Sequence, residues 1–274
     1  MRRVLVTGSA GFIGRWVCET LAERGIEPVR FDHPFTVLDR GGLHNAMGAV
    51  DGVINLAGVL GTPESFDVEH RAVEVNILGA VNVYEFAGIS RIPVVQIGTG
   101  HKGQPNPYAI TKGAAEDLAL ARALATGRRI SVVRAFHVYG EGQTPPPPHG
   151  AAKVRKIMPS FICRALAGMK LEINGDGSQL IDLVYVADVA RVLVDALTAD
   201  PGSLLQAGTG KSSTVAQVAR DVIAACESTS TIAHAPPRPG EPGGAVVVAD
   251  APLCDNPWPY RLSETIEWYR ALIK

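Results

Sequence analysis

Five short apolar runs mark the first half of the chain, at residues 4–6, 28–31, 53–56, 94–97 and 130–134, without the polar alternation of a half-exposed strand. Between them, apolar residues recur at helical spacing over 12–24, 68–87 and 108–125, with a shorter stretch at about 40–47. Continuous apolar strands separated by helices predict an α/β fold with a doubly wound parallel sheet, covered on both faces. One connection is too short. Only seven residues, 33–39, lie between Asp32 and the next helical stretch. A parallel neighbour strand needs a crossover of about a dozen residues or more. The usual outer strand is therefore expected to be missing or reduced to an extended loop, with the strand that ends in Asp32 at or near the sheet edge.

The pattern changes after Tyr139. Residues 140–150 and 236–244 are Pro/Gly-rich and unfit for helix or central strand. Helical spacing resumes at about 159–168 and again at 262–272. This half reads as a smaller lobe closing over the carboxyl edge of the sheet. The expected division is 1–139 for the sheet domain and 140–274 for the lobe, interleaved, with about 178–210 returning to the sheet. No internal repeat is present.

The chain has 274 residues and a formal net charge of −1, without the long basic tract that nucleic-acid binding requires. The short cluster at 153–156 reads as a solvated face or a local anion contact. No run of 18 apolar residues predicts a membrane span, and the first apolar run is too short for a signal peptide. Four cysteines without a C-x-x-C pair suit a reduced, cytoplasmic protein, and the seven histidines show no metal-ligand spacing. The expectation is a cytoplasmic enzyme without a metal.

The candidate chemistry starts at Gly8-Ser9-Ala10-Gly11-Phe12-Ile13-Gly14, between the first strand and the first helix. In that position bare backbone can approach a pyrophosphate, and the helix N–H groups can hold it. Asp32, eighteen residues past Gly14, ends the next apolar run, with His33 beside it. A carboxylate there suits the ribose hydroxyls of NAD and repels the extra phosphate of NADP. Tyr108 and Lys112 stand one helical turn apart on one face. Lys112 is expected to lower the tyrosine pKa, making the phenol a base near neutral pH, and to hold the cofactor ribose. Thr99, at the end of the run 94–97, is placed where ligands bind in such sheets and would orient a substrate oxygen.

These residues, in this order, resemble the extended short-chain dehydrogenase/reductase family and its Rossmann-type fold. The branch is that of NAD-dependent sugar-nucleotide epimerases and dehydratases, with members such as the UDP-galactose 4-epimerases. Asn55-Leu56-Ala57-Gly58 looks like the segment lining the cofactor, and Asn76-Ile77-Leu78-Gly79 like the family's Asn-x-x-Gly helix. Residues 133–140 resemble R-x-F-N-V-Y-G, residues 175–190 the late G-D-G…D-F-x-Y-V-x-D-V segment, and residues 238–241 R-P-G-D. The resemblance implies cofactor contacts at Leu56, Ala57, Gly58 and Asn76, and a substrate diphosphate held by His137 and Arg238. It also implies a homodimer through the helices at 68–87 and 108–125, whose Leu118, Ala121 and Leu124 serve an interface or a monomer core equally well.

The departures are specific. His137 replaces an asparagine, and Ile181 stands where many relatives carry an arginine. Thr99 and Tyr108 are only nine residues apart. Gly100-His101 occupies the place where dehydratase relatives carry acidic residues, which argues against dehydration. Three readings follow. The first is an NAD-dependent epimerase of a nucleotide-linked sugar, in which Tyr108 takes a hydroxyl proton while hydride passes to NAD and returns to the other face of a keto intermediate. The second is a dehydrogenase or reductase of a sugar or other alcohol that releases its cofactor. The third is a non-catalytic NAD-sensing regulator, which would not need the Tyr–Lys pair. Nothing in the sequence predicts a nucleic-acid or membrane partner.

Overall fold

The computed structural model describes residues 1–273. Six strands form the central sheet: β1 (Arg3–Thr7), β2 (Glu27–Phe31), β3 (Gly52–Asn55), β4 (Val94–Thr99), β5 (Ile130–Ala135) and β6 (Leu204–Ala207). Their order is β6-β5-β4-β3-β1-β2 and every pairing is parallel. The sheet has a core on each face, which explains the unalternating apolar runs. Val4 and Val6 belong to one buried cluster and Leu5 to the other.

β2 is the edge strand, as the short connection requires. Residues 33–39 form a turn, and Asp39 then caps the helix Arg40–Met47 by accepting from the Gly42 N–H at 3.0 Å. That helix buries Leu43 and Met47 against the sheet face.

The helical stretch at 68–87 is longer and less regular than its pattern suggests. A 3-10 turn (Glu64–Val68), an α-helical turn (Glu69–Ala72), a π-helical segment (Val73–Gly79) and an α-helix (Ala80–Ser90) run on without a break. The π-helical segment buries Val75, Asn76 and Gly79. By length and composition this run is apolar enough to cross a membrane. It is a core element here, with Val75, Ala80, Val83, Tyr84 and Ala87 packed on the sheet.

Beyond Tyr139 the chain builds a third core. The helices Ile157–Leu166, Val215–Ala225 and Leu262–Leu272 enclose Met158, Phe161, Ile162, Val218, Ile266 and Tyr269. Small sheets edge this layer, with Leu171–Asn174 beside Ile232–Ala235 and Leu180–Ile181 between Ser213–Thr214 and Val246–Val247. The chain also goes back to the first sheet. The helix Val186–Asp195 packs on the helix Phe12–Glu23, and β6 then pairs with β5, Leu204 opposite Val132.

Candidate active site

Above the carboxyl ends of these strands lies a cavity of about 1140 Å³. That exceeds the ~300–1,000 Å³ usual for one drug-sized ligand and leaves room for two. One end is the glycine turn, where backbone packs on backbone. Gly8 has a φ of 68°, and a Cβ there would lie 3.0 Å from the Ala57 nitrogen. A Cβ on Gly14 would fall 2.2 Å from the Gly8 carbonyl oxygen, so only glycine lets the helix start so close to the strand. The helix Phe12–Glu23 begins at Gly11 without a side-chain cap, which leaves its first amides to a ligand. Asp32 stands beside them. Its Oδ2 accepts from the Ala10 N–H and its Oδ1 from the His33 N–H, both at 2.8 Å. The glycine cradle, uncapped amides and fixed carboxylate fit a dinucleotide. Gly8, Gly11, Phe12, Ile13, Gly14, Asp32 and His33 all line this end.

Leu56, Ala57 and Gly58 form the next part of the wall. A buried polar ladder below positions them. The Thr7 hydroxyl accepts from the N–H groups of Leu56 and Ala57, both at 3.1 Å, and donates to Asn55 Oδ1. Asn55 Nδ2 in turn donates to Gln96 Oε1 at 2.7 Å. Asn76, expected as a cofactor contact, does not line the cavity. Its amide donates to the Val59 carbonyl at 3.1 Å and to Thr111 Oγ1 at 2.9 Å, and its Oδ1 accepts from the Val59 N–H at 2.8 Å. Asn76 thus ties the loop to the neighbouring helix from behind. Its burial comes with the π-helical segment, which the apolar pattern did not reveal.

That neighbouring helix, Pro107–Thr126, is capped by Asn106, whose Oδ1 accepts from the Ala109 N–H at 2.9 Å. It turns Tyr108 and Lys112 into the cavity opposite Thr99, which is buried at the end of β4. Burial holds the Tyr108 phenol above its ordinary pKa, with the Thr99 hydroxyl acting against that rise. Lys112 is itself weakened as a cation. Burial lowers its pKa to about 8, against a partial rise from Glu116 one turn along. Glu116 is committed elsewhere, accepting from Arg134 at 2.6 and 2.9 Å and from Lys102 at 2.9 Å.

The far end of the cavity is lined by His101, His137, Arg155, Lys156, Ile181 and Arg238. The rings of His101 and His137 meet edge-on, with centroids 4.9 Å apart, and burial lowers both pKa values. Arg238 is paired with Glu241 through bonds of 2.5 and 3.0 Å. Sequence reasoning left the cluster at 153–156 between a solvated face and a local anion contact, and did not single out Arg155 and Lys156, which line the cavity. Of that cluster Lys153 is exposed, whereas Lys156 is drawn in where the Pro/Gly loop enters the helix Ile157–Leu166. Six buried polar atoms lack a partner among the described residues, and four of them, on Glu64, His137, Gln143 and Gln179, belong to cavity-lining residues. Buried polar groups are rarely left unpaired, so these atoms mark a surface that a polar ligand completes.

The model of the NAD dependent epimerase/dehydratase family matches residues 4–208. The chain is 27% identical over 323 aligned positions to a UDP-N-acetyl-alpha-D-glucosaminuronate decarboxylase of Bacillus cytotoxicus, covering 99% of this chain and 98% of that one. It is 26% identical over 330 positions to a dTDP-D-glucose 4,6-dehydratase of Mus musculus, covering 98% and 89%. Among solved structures it is similar to the Thermus thermophilus UDP-glucose 4-epimerase in complex with NAD, with a TM-score of 0.84, 26% identity, and 98% and 99% of the two chains covered.

Proposed function

The chain belongs to the NAD-dependent epimerase/dehydratase family, and we propose that this NAD-dependent enzyme epimerises a nucleotide-linked sugar. One observation carries the reading: Thr99, Tyr108 and Lys112 face one cavity, between a dinucleotide cradle and a polar, partly cationic far end. The bound cofactor supplies reversible oxidation of a sugar carbinol. Tyr108 is the base at the carbinol hydroxyl, Thr99 orients that hydroxyl and favours the phenolate, and Lys112 holds the cofactor ribose. Gly8, Gly11, Phe12, Ile13 and Gly14 hold the pyrophosphate. Asp32, with His33 beside it, takes the ribose hydroxyls, and Leu56, Ala57 and Gly58 form the wall that Asn76 braces. His137 and Arg238 meet the substrate phosphates. Next to Thr99 stand Gly100 and a histidine that burial keeps from charging, rather than the carboxylic acids that elimination of water would use. Such a cycle regenerates its cofactor, so tight retention is expected.

The test is the protein as purified. A protein-free extract after denaturation should carry NAD close to one per chain, and UDP-sugars should interconvert without net NADH. Stoichiometric NADH, or a cofactor-free preparation that binds NAD only weakly, gives the activity to a net dehydrogenase instead.

A homodimer is part of the same proposal. Ile110, Leu118 and Leu124 are 61%, 43% and 89% exposed, so they are not core of the single chain. At ~100° per residue they fall within about 120° of one helix face. Light scattering should give twice the chain mass, and Leu118→Arg with Leu124→Arg should give a folded monomer. A wild-type chain that runs as a monomer removes the dimer.

A further inference from the structure

We propose that Asn106 is a positioning residue that holds the turn of Arg238 against the start of the catalytic helix, so that one side chain fixes the spacing between the substrate diphosphate and Tyr108; this rests on the nucleotide-sugar reading above. Gln104-Pro105-Asn106-Pro107-Tyr108 sets an asparagine between two prolines, just ahead of the catalytic tyrosine. A following proline restricts the residue before it to extended backbone, and Asn106 has a φ of −144° and a ψ of 153°. The residue is 1% exposed, and both ends of its amide are engaged. Oδ1 caps the helix Pro107–Thr126 by accepting from the Ala109 N–H, and Nδ2 donates to the Gly240 carbonyl, each at 2.9 Å. Capping uses the oxygen alone, and serine or aspartate supplies it equally well. The bond from the nitrogen joins the sheet domain to the lobe.

Gly240 belongs to the turn that carries Arg238. Pro239 and Gly240 fill its two central positions, Gly240 at a φ of 75°, and the Glu241 N–H donates to the Arg238 carbonyl at 3.2 Å. Pro followed by a left-handed Gly is the chemistry of a type II turn. Its first and last side chains, Arg238 and Glu241, pair with each other and line the cavity. The turn is pressed onto the start of the catalytic helix. A Cβ on Gly240 would lie 2.7 Å from the Asn106 Cβ and 3.0 Å from the Phe66 ring. Ser65, next to Phe66, accepts from the Tyr108 N–H at 3.2 Å. A shift of the turn relative to Tyr108 therefore breaks the bond from Asn106 to Gly240. Binding energy at the phosphates serves the reacting carbon only when the two are held at a fixed spacing.

The experiment is calorimetric titration of the NAD-loaded protein with UDP, beside the kinetics of UDP-glucose turnover. Asn106→Ser keeps a capping oxygen and loses the donor to Gly240. It should bind UDP about five- to tenfold more weakly, the scale of one lost hydrogen bond, and raise KM as much while kcat falls less than about threefold. Asn106→Asp also keeps the cap but turns an acceptor towards the Gly240 carbonyl. It should bind UDP more weakly still, although an acid at a helix N-terminus is favourable for the helix itself. A residue that did no more than cap would give the reverse order. Arg238→Met should weaken UDP binding, and adding Asn106→Ser to it should weaken it little further, because the two act as one unit. Thermal melting shows that each variant is folded. Wild-type affinity for UDP in either Asn106 variant or in Arg238→Met, or fully additive losses in the double variant, would overturn the proposal. If wild type retains NAD but binds no UDP, the nucleotide-sugar reading fails and takes this inference with it.

Discussion

Tyr108→Phe is expected to lower turnover by about 10²–10⁴-fold, the usual contribution of a positioned acid–base group, while the fold and NAD retention persist. The substitution removes one oxygen and keeps the ring on the cavity wall. No hydrogen bond that holds the helix is lost, since that helix is fixed by Asn106 and by the Tyr108 backbone N–H donating to Ser65 Oγ. Thr99→Val provides the complementary test. The Thr99 hydroxyl lowers the phenol pKa against the rise caused by burial. Removing it therefore raises that pKa, so the phenolate forms only at higher pH. The rising limb of kcat/KM against pH should move towards alkaline values, with a lower rate at neutral pH. The ammonium of Lys112 has the opposite dependence. In the free enzyme it is lost as pH rises through about 8, so ribose holding should weaken on that side. A Tyr108→Phe enzyme with full turnover would remove Tyr108 from the chemistry and leave the cavity as a binding site.

The largest expected loss of stability comes from Asp182→Ala, about 3–5 kcal/mol, read as a fall in the urea midpoint. Asp182 is completely buried, and its carboxylate accepts from four donors: the N–H and hydroxyl of Thr209, the Gly210 N–H and the Ala249 N–H, at 2.6 to 3.2 Å. These donors lie on two separate stretches of chain, at Thr209–Gly210 and at Ala249, each far from Asp182 in sequence. The carboxylate therefore joins the start of the strand Leu183–Tyr185 to the loop after β6 and to the segment following Val247. Alanine would leave the donors buried and unpaired, each costing about 1–3 kcal/mol before relaxation. The carboxylate also needs Gly208 to stay glycine, since a Cβ there would stand 2.7 Å from Asp182 Oδ2. Asp182→Asn keeps the shape but turns an amide N–H towards other N–H groups, so it should lose much of the same stability. A change under about 1 kcal/mol for Asp182→Ala would show that water or repacking satisfies the four donors.

Much of the site was legible because its residues work through their own backbone or through one helical turn. The turn Gly8–Gly14 follows from a strand, a helix and the absence of side chains between them. Tyr108 and Lys112 share a face because four residues make about one turn. Asn76 and Lys156 were not legible in the same way. The period that predicts a helix at 68–87 cannot report a π-helical segment, so it missed how Asn76 turns inward to hold Val59. Lys156 belongs to a short basic run whose exposure depends on how the Pro/Gly loop before it is laid along the cavity wall.

From the sequence alone came the parallel sheet, the edge position of β2, the dinucleotide turn and the Tyr–Lys helix. Each depends on local periodicity, or on a connection too short to be built any other way. Only the tertiary structure decided that Thr99 and Tyr108 share one cavity, that Arg238 is already paired, that Lys156 is not, and that Asp182 ties three distant segments together. Burial and charge pairing arise between residues far apart in the chain, and their strength depends on what surrounds them once the water is gone.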